Sequence, residues 1–155
     1  MIIEEPPTEF TVMSLEGVAW DEIRPQIHAD GRAVRVRRQL LERSSERQIM
    51  LTVYEPDLVL RQHTHTCDQI THLVEGEFMA GDKLCKAPAV LVLPKGALFG
   101  PVITGSQGAT LLEIFLGPSS KSLPADPEGF KRLLDEKGIT LAPSTNPYEA
   151  DHPPL

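Results

Sequence analysis

Between residues 33 and 116 the chain is cut into short, β-branched apolar segments separated by turns. That punctuation confines it to an all-β sandwich or barrel. AVRVRRQLL (33–41) alternates Val34 and Val36 with Arg35 and Arg37, the pattern of a half-buried strand. After the SSER turn, QIMLTVY (48–54) is a second strand, stopped by Glu55-Pro56-Asp57. LVLRQHTH (58–65), QITHLVEGEFMA (69–80), KLCKA (83–87), AVLVLP (89–94) and ATLLEIFL (109–116) continue the series. Glycines at 76, 81, 96, 100, 105 and 108 are read as the corners between strands.

The flanks are different. The first 30 residues, with Pro6-Pro7 and Pro25, read as an irregular arm, and Trp20 is expected to anchor it on the body. One helix is predicted after the strands. Asp126 suits the N-cap, Pro127 the first turn and Gly138 the C-terminal stop. Phe130, Leu133 and Leu134 give this helix a single apolar stripe. The tail carries Pro143, Pro147, Pro153 and Pro154 and is expected to be extended or disordered. The expected organisation is one domain: an arm over 1–32, a barrel over 33–118, and a helix with a proline-rich tail over 119–155.

Composition narrows the function classes. A chain of 155 residues with net charge −7 is not a general binder of nucleic acid or of acidic membranes. Seven of its nine arginines fall between Arg24 and Arg47, either as a solvated strand face or as a patch for an anionic partner. Two cysteines make no disulfide framework, and no apolar run approaches the roughly 20 residues of a membrane span. The acidic start MIIEEPPTEF is unlike a signal peptide, so a cytoplasmic protein is expected. The Arg35/Arg37 strand is expected near a sheet edge. Edges are normally covered or paired, which predicts a homodimer built from the 30–55 region.

Three histidines lie within ten residues: His63, His65 and His72. His63 and His65, one residue apart on a strand, project to the same face, which is one way to begin a metal site. Alone, the pair reads equally as surface histidines. The segment PDLVLRQHTHTCDQITHLVEGEF resembles the first motif of the cupins: H-x-H, then a Glu or Gln, then a glycine six or seven residues later. His63, His65, Gln69 and Gly76 fill those slots. VLVLPKGALFGPV resembles the second motif through Pro94 and Gly96, with Phe99 in the slot of the final histidine. The resemblance spans roughly residues 50–116. The Trp20 segment and the LLEIF ending are also similar to cupins related to ring- and diketone-cleaving dioxygenases and to the cupin half of zinc anti-sigma factors.

The resemblance implies a double-stranded β-helix, the RmlC-like jelly-roll barrel. It implies a divalent metal ion (zinc, iron, nickel or manganese) on His63, His65 and Gln69. Phe99 cannot ligate, so the usual fourth ligand is missing. Three neutral donors also leave a divalent ion its full charge in a low-dielectric interior. His72, Glu113 and Cys67 are the candidates to repair the set. Against each stands a plainer role: His72 alternates to the face opposite Gln69, a strand glutamate is commonly solvated, and a turn cysteine is commonly inert. Arg61 should face inward with the two histidines, to hold an acidic substrate or to pair with an acidic residue. Two functions follow: a metal-dependent enzyme on a small organic substrate, dioxygenase-like or isomerase/lyase-like, or a non-catalytic binding or sensing cupin with a degenerate metal site. A structural subunit, its interior filled with side chains, is a third.

Overall fold

The computed structural model describes residues 2–117 and 122–143, so the tail beyond residue 143 lies outside the described residues. Among the described residues eleven strands and one helix follow one another: β1 (Asp21–Ile27), β2 (Ala33–Arg43), β3 (Gln48–Tyr54), β4 (Val59–Leu60), β5 (His63–His65), β6 (Asp68–Ala80), β7 (Lys83–Lys86), β8 (Ala89–Leu93), β9 (Val102–Leu116), β10 (Ser122–Pro124), α1 (Pro127–Lys137) and β11 (Thr140–Leu141). Nine strands form one antiparallel sheet whose main path runs β11-β1-β2-β3-β9-β6-β7, with β4 joined to β9 and β8 to β6; β5 and β10 form a separate pair.

The long strands β6 and β9 are the spine. Near the Phe115 end β9 pairs with β3, and near the Val102 end with β4. Likewise β6 pairs first with β8 and then with β7. The switch coincides with register shifts at Leu73/Glu75 and Gly76/Phe78, and such bulges bend strands. Gly76 and Gly108 sit there with positive φ. A Cβ on Gly76 would collide with the Gly108 carbonyl oxygen, and one on Gly108 with the Tyr54 carbonyl oxygen, so only glycine fits this crossing. Glycines 105 and 108, expected at a corner between strands, therefore lie inside a strand that begins at Val102.

Strict alternation fills the interior. Gln48, Met50, Thr52 and Tyr54 of β3 face in, as do Gln69, Thr71 and Leu73 of β6 and Ala109, Leu111, Glu113 and Phe115 of β9. One end of the barrel is an apolar core of Val34, Val36, Tyr54, Leu58, Leu73, Phe78, Val102 and Leu111. The other end is mixed, with a small cluster of Leu40, Met50, Cys67 and Phe115 beside buried polar side chains. Helix α1 is capped as its sequence predicts: Asp126 accepts from the Gly129 N–H, and Gly138 is left-handed. It packs Phe130 and Leu134 against Val59 and Ile139.

Two expectations are corrected. Residues 21–27 are not irregular but form β1, paired along β2. Consequently β2 lies between β1 and β3 and is no edge. Pro25 is tolerated in β1 because the register shifts between Ile23 and Gln26, where no ladder N–H is required. The Trp20 ring lies 5.3 Å from the Arg37 guanidinium but is 44% exposed, so its hold on the body is this one cation–π contact and not burial. The arginine cluster is largely internally compensated: Arg32 pairs with Asp30 and Asp57, Arg35 with Glu22, Arg37 with Glu55, and Arg47 with Glu42 and Glu46. That favours the solvated-face reading over a patch for an anionic partner. No helix among the described residues is long and apolar enough to cross a membrane.

Candidate metal site

The three-residue strand β5 is held on both sides. It pairs with β10, His63 opposite Pro124 and His65 opposite Ser122. On the other side His63 and Phe99 exchange both backbone hydrogen bonds, each 2.9 Å. The two imidazoles meet edge to face with centroids 4.8 Å apart. Phe99 packs on His63 at 5.6 Å, and Phe115 packs on His65 at 5.2 Å. Gln69 stands directly opposite Phe115 in the β6–β9 register and is buried. Phe115 is thus the ring partner of His65 and the cross-strand neighbour of Gln69.

The hydrogen-bond inventory of these side chains is unequal. His63 Nδ1 lies 2.9 Å from the Arg61 carbonyl oxygen. A carbonyl can only accept, so Nδ1 carries the proton and Nε2 keeps its lone pair. Burial lowers the pKa of His63, the hydrogen bond to Arg61 opposing it in part. Burial, reinforced by His63 and Arg61, brings His65 down from 6.5 to about 4. Both rings are neutral at pH 7. His65 Nδ1 is buried without a hydrogen-bond partner, and so is Gln69 Oε1. The amide nitrogen of Gln69, in contrast, donates to Thr71 Oγ1 at 2.8 Å and to Glu113 Oε1 at 3.0 Å.

Each orphaned buried polar group costs about 1–3 kcal/mol. A cation would remove that cost, and two imidazoles with one amide oxygen suit a first-row divalent ion. The residues present fit such an ion. Among the described residues no three His, Cys, Asp or Glu side chains converge as a metal-binding group.

The supplementary candidates separate. Glu113 is not solvated as a strand glutamate commonly is. It is buried, accepting from Thr52 Oγ1 at 2.5 Å as well as from Gln69. Burial raises its pKa, while the Thr52 bond, the Arg38 charge and the Gln69 bond oppose the rise. His72 lies on the exposed outer face of β6, away from Gln69. Cys67 is packed with Leu40, Met50 and Phe115. Arg61 is buried, with Nη2 3.3 Å from Ser122 Oγ and 3.4 Å from its carbonyl oxygen, and burial lowers its pKa. Phe99, read from the motif as standing in the final histidine's slot, also meets Phe78 at 6.1 Å. Sequence reading passed over Thr52, Thr71 and Arg38. The alternation of Val34, Val36, Arg38 and Leu40 carries the signal for Arg38, which stands opposite the inward Thr52.

No family model matches the chain, and no curated protein matches it. Solved structures do. KdgF from Halomonas sp. superposes with a TM-score of 0.57 at 15% identity, over 70% of this chain and 96% of that one. An acetylacetone dioxygenase from Acinetobacter johnsonii gives 0.52 at 14% identity, over 84% and 95%. An RmlC-like cupin from Ralstonia eutropha JMP134 gives 0.52 at 12% identity, over 87% and 93%. At these identities the likeness is one of fold.

Proposed function

The chain has the cupin fold, and within that barrel we propose a divalent-metal centre held by His63, His65 and Gln69 that acts on a small organic substrate. The observation that carries this reading is the pair of orphaned buried atoms, His65 Nδ1 and Gln69 Oε1, beside a His63 whose other nitrogen is already engaged. When bound, the ion would supply Lewis acidity and a position for an oxygen donor. The Arg61 carbonyl fixes the tautomer and orientation of His63. Phe99 contributes a ring instead of a ligand, so the protein fills fewer positions and the substrate can fill more. Phe99 and Phe115 set apolar rings against the two half-buried histidines. Since all three donors are neutral, charge balance favours an anionic oxygen ligand such as a carboxylate or an enolate.

The likeness to an acetylacetone dioxygenase makes β-dicarbonyl compounds the first substrates to try. The test has two stages. Apo protein is titrated with cobalt(II) beside His63→Ala, reading the visible absorption of the bound ion. Oxygen uptake is then followed with acetylacetone and with simple carboxylates. Binding that His63→Ala abolishes, followed by turnover, is the expected result. Absence of binding in both proteins would refute the metal centre. A non-catalytic binding cupin is the second reading, favoured by the aromatic ring at the ligand slot. Metal binding without turnover of any such compound would support it.

A further inference from the structure

The orientation of Gln69 has a cause that lies outside the three proposed donors. A glutamine amide can present either its oxygen or its nitrogen, and only the oxygen can bind a cation. Here both amide protons are claimed, one by Thr71 Oγ1 at 2.8 Å and one by Glu113 Oε1 at 3.0 Å. A carboxylate cannot donate, so the flipped amide would set its own oxygen against Glu113. The second carboxylate oxygen of Glu113 is held by Thr52 Oγ1, which stops the carboxylate from turning away. Both threonines are about 1% exposed, and Gln69 is 4% exposed. All four side chains lie on the inward faces of β3, β6 and β9, with Thr71 directly opposite Glu113. Burial of a carboxylate is expensive, and here the Thr52 and Gln69 hydrogen bonds and the Arg38 charge offset part of that cost.

We propose that Glu113 is a positioning residue which, with Thr52 and Thr71, locks the Gln69 amide so that Oε1 is presented to a cation. This rests on the metal-centre reading and deepens it. The lock also supplies what the neutral donor set lacks. In its ionised form Glu113 places a negative charge one hydrogen bond behind the third donor and polarises the amide oxygen towards the ion. Outer partners of this kind typically change metal affinity by about 10–100-fold when removed.

The test compares wild type, Glu113→Gln, Thr71→Val, Gln69→Ala and the exchanged pair Gln69→Glu/Glu113→Gln. Two quantities are read: cobalt(II) affinity by competition with a chromophoric chelator, and the side-chain 15N–1H signals of Gln69 in the apo protein. The lock predicts two separate, slowly exchanging Gln69 amide protons in wild type, one of which shifts and exchanges faster in Thr71→Val and the other in Glu113→Gln. It predicts cobalt binding about 10–100-fold weaker in both single variants, and affinity restored in the exchanged pair, where the charge moves onto the donor itself. A role confined to packing would lower the melting temperature of the variants but leave their affinity alone, and that result overturns the proposal. Thr71→Val, which removes no charge, keeps the test decisive should Glu113→Gln fail to fold. Wild type that binds cobalt no better than Gln69→Ala would instead show that the ion does not use Gln69. Wild type that binds no cobalt at all refutes the metal centre, and the lock would then have no ion to serve, whatever the amide signals show.

Discussion

Replacing Phe99 with histidine separates two roles of that side chain. In the fold Phe99 makes two edge-to-face contacts, 5.6 Å to His63 and 6.1 Å to Phe78. Each such pair contributes about 0.5–1.5 kcal/mol beyond area burial, so the metal-free variant should lose about 1–3 kcal/mol. For a chain of this size that lowers the melting temperature by several degrees, at about 2–4 °C per kcal/mol. With metal the sign reverses. Complete four-ligand zinc sites bind with about 10–16 kcal/mol, so an equal share per ligand is on the order of 3 kcal/mol, or about a hundredfold in affinity. The assay is thermal unfolding of both proteins with and without zinc, together with competitive titration of zinc, nickel and iron. The expected pattern is a variant less stable without metal, and about a hundredfold tighter with it. Equal affinities would show that Phe99 does not stand at a ligand position.

Other perturbations probe the histidine pair, the glycine crossing and the exposed sheet face. The metal-free protein should lose stability on acidification: His65 has a folded pKa of about 4 against 6.5, so the unfolded chain binds more protons between those values. Stability should fall as the pH drops from about 6.5 to 4 and level below, by at most about 3 kcal/mol from this group, and urea titrations of wild type and His65→Ala across that range measure it. Gly108→Ala should destabilise by more than about 1 kcal/mol, from positive φ and collision with the Tyr54 carbonyl, and a denaturant midpoint unchanged from wild type would contradict the glycine crossing. The proposed homodimer no longer has a β2 edge to use, but the outer sheet face exposes Ile70, Val74, Val90, Val92 and Leu116. Sedimentation should give about twice 17.1 kDa for wild type and a monomer for Val90→Glu/Val92→Glu; a monomeric wild type would remove the dimer.

What was legible in the sequence was whatever depends on local pattern. Alternation in QIMLTVY and QITHLVEGEF marks the inward faces, and the H-x-H spacing does put both imidazoles on one side of β5. Asp126, Pro127 and Gly138 mark the helix because capping is local chemistry. Features that depend on distant partners were hidden. DEIRPQI carries charges and a proline and has no strand pattern of its own; it becomes β1 because β2 and β11 offer it ladders and a register shift accommodates Pro25. Gly108 looks like a corner, yet it is the point where β9 passes close to β6 and β3. Glu113 looks like any strand glutamate, and its place beside Gln69 follows only from the β6–β9 register. His72 was read correctly as facing away from Gln69, since parity along one strand needs no partner.

Metal content decides whether His63, His65 and Gln69 hold an ion. The protein should be purified without chelator or nickel resin and analysed by elemental mass spectrometry, then stripped and titrated with zinc and cobalt(II) beside His63→Ala and Gln69→Ala. The expected result is a first-row divalent ion in the native preparation, rebinding to stripped wild type, and loss of that binding in both variants. A native protein free of metal, whose stripped form takes up neither ion, would contradict it.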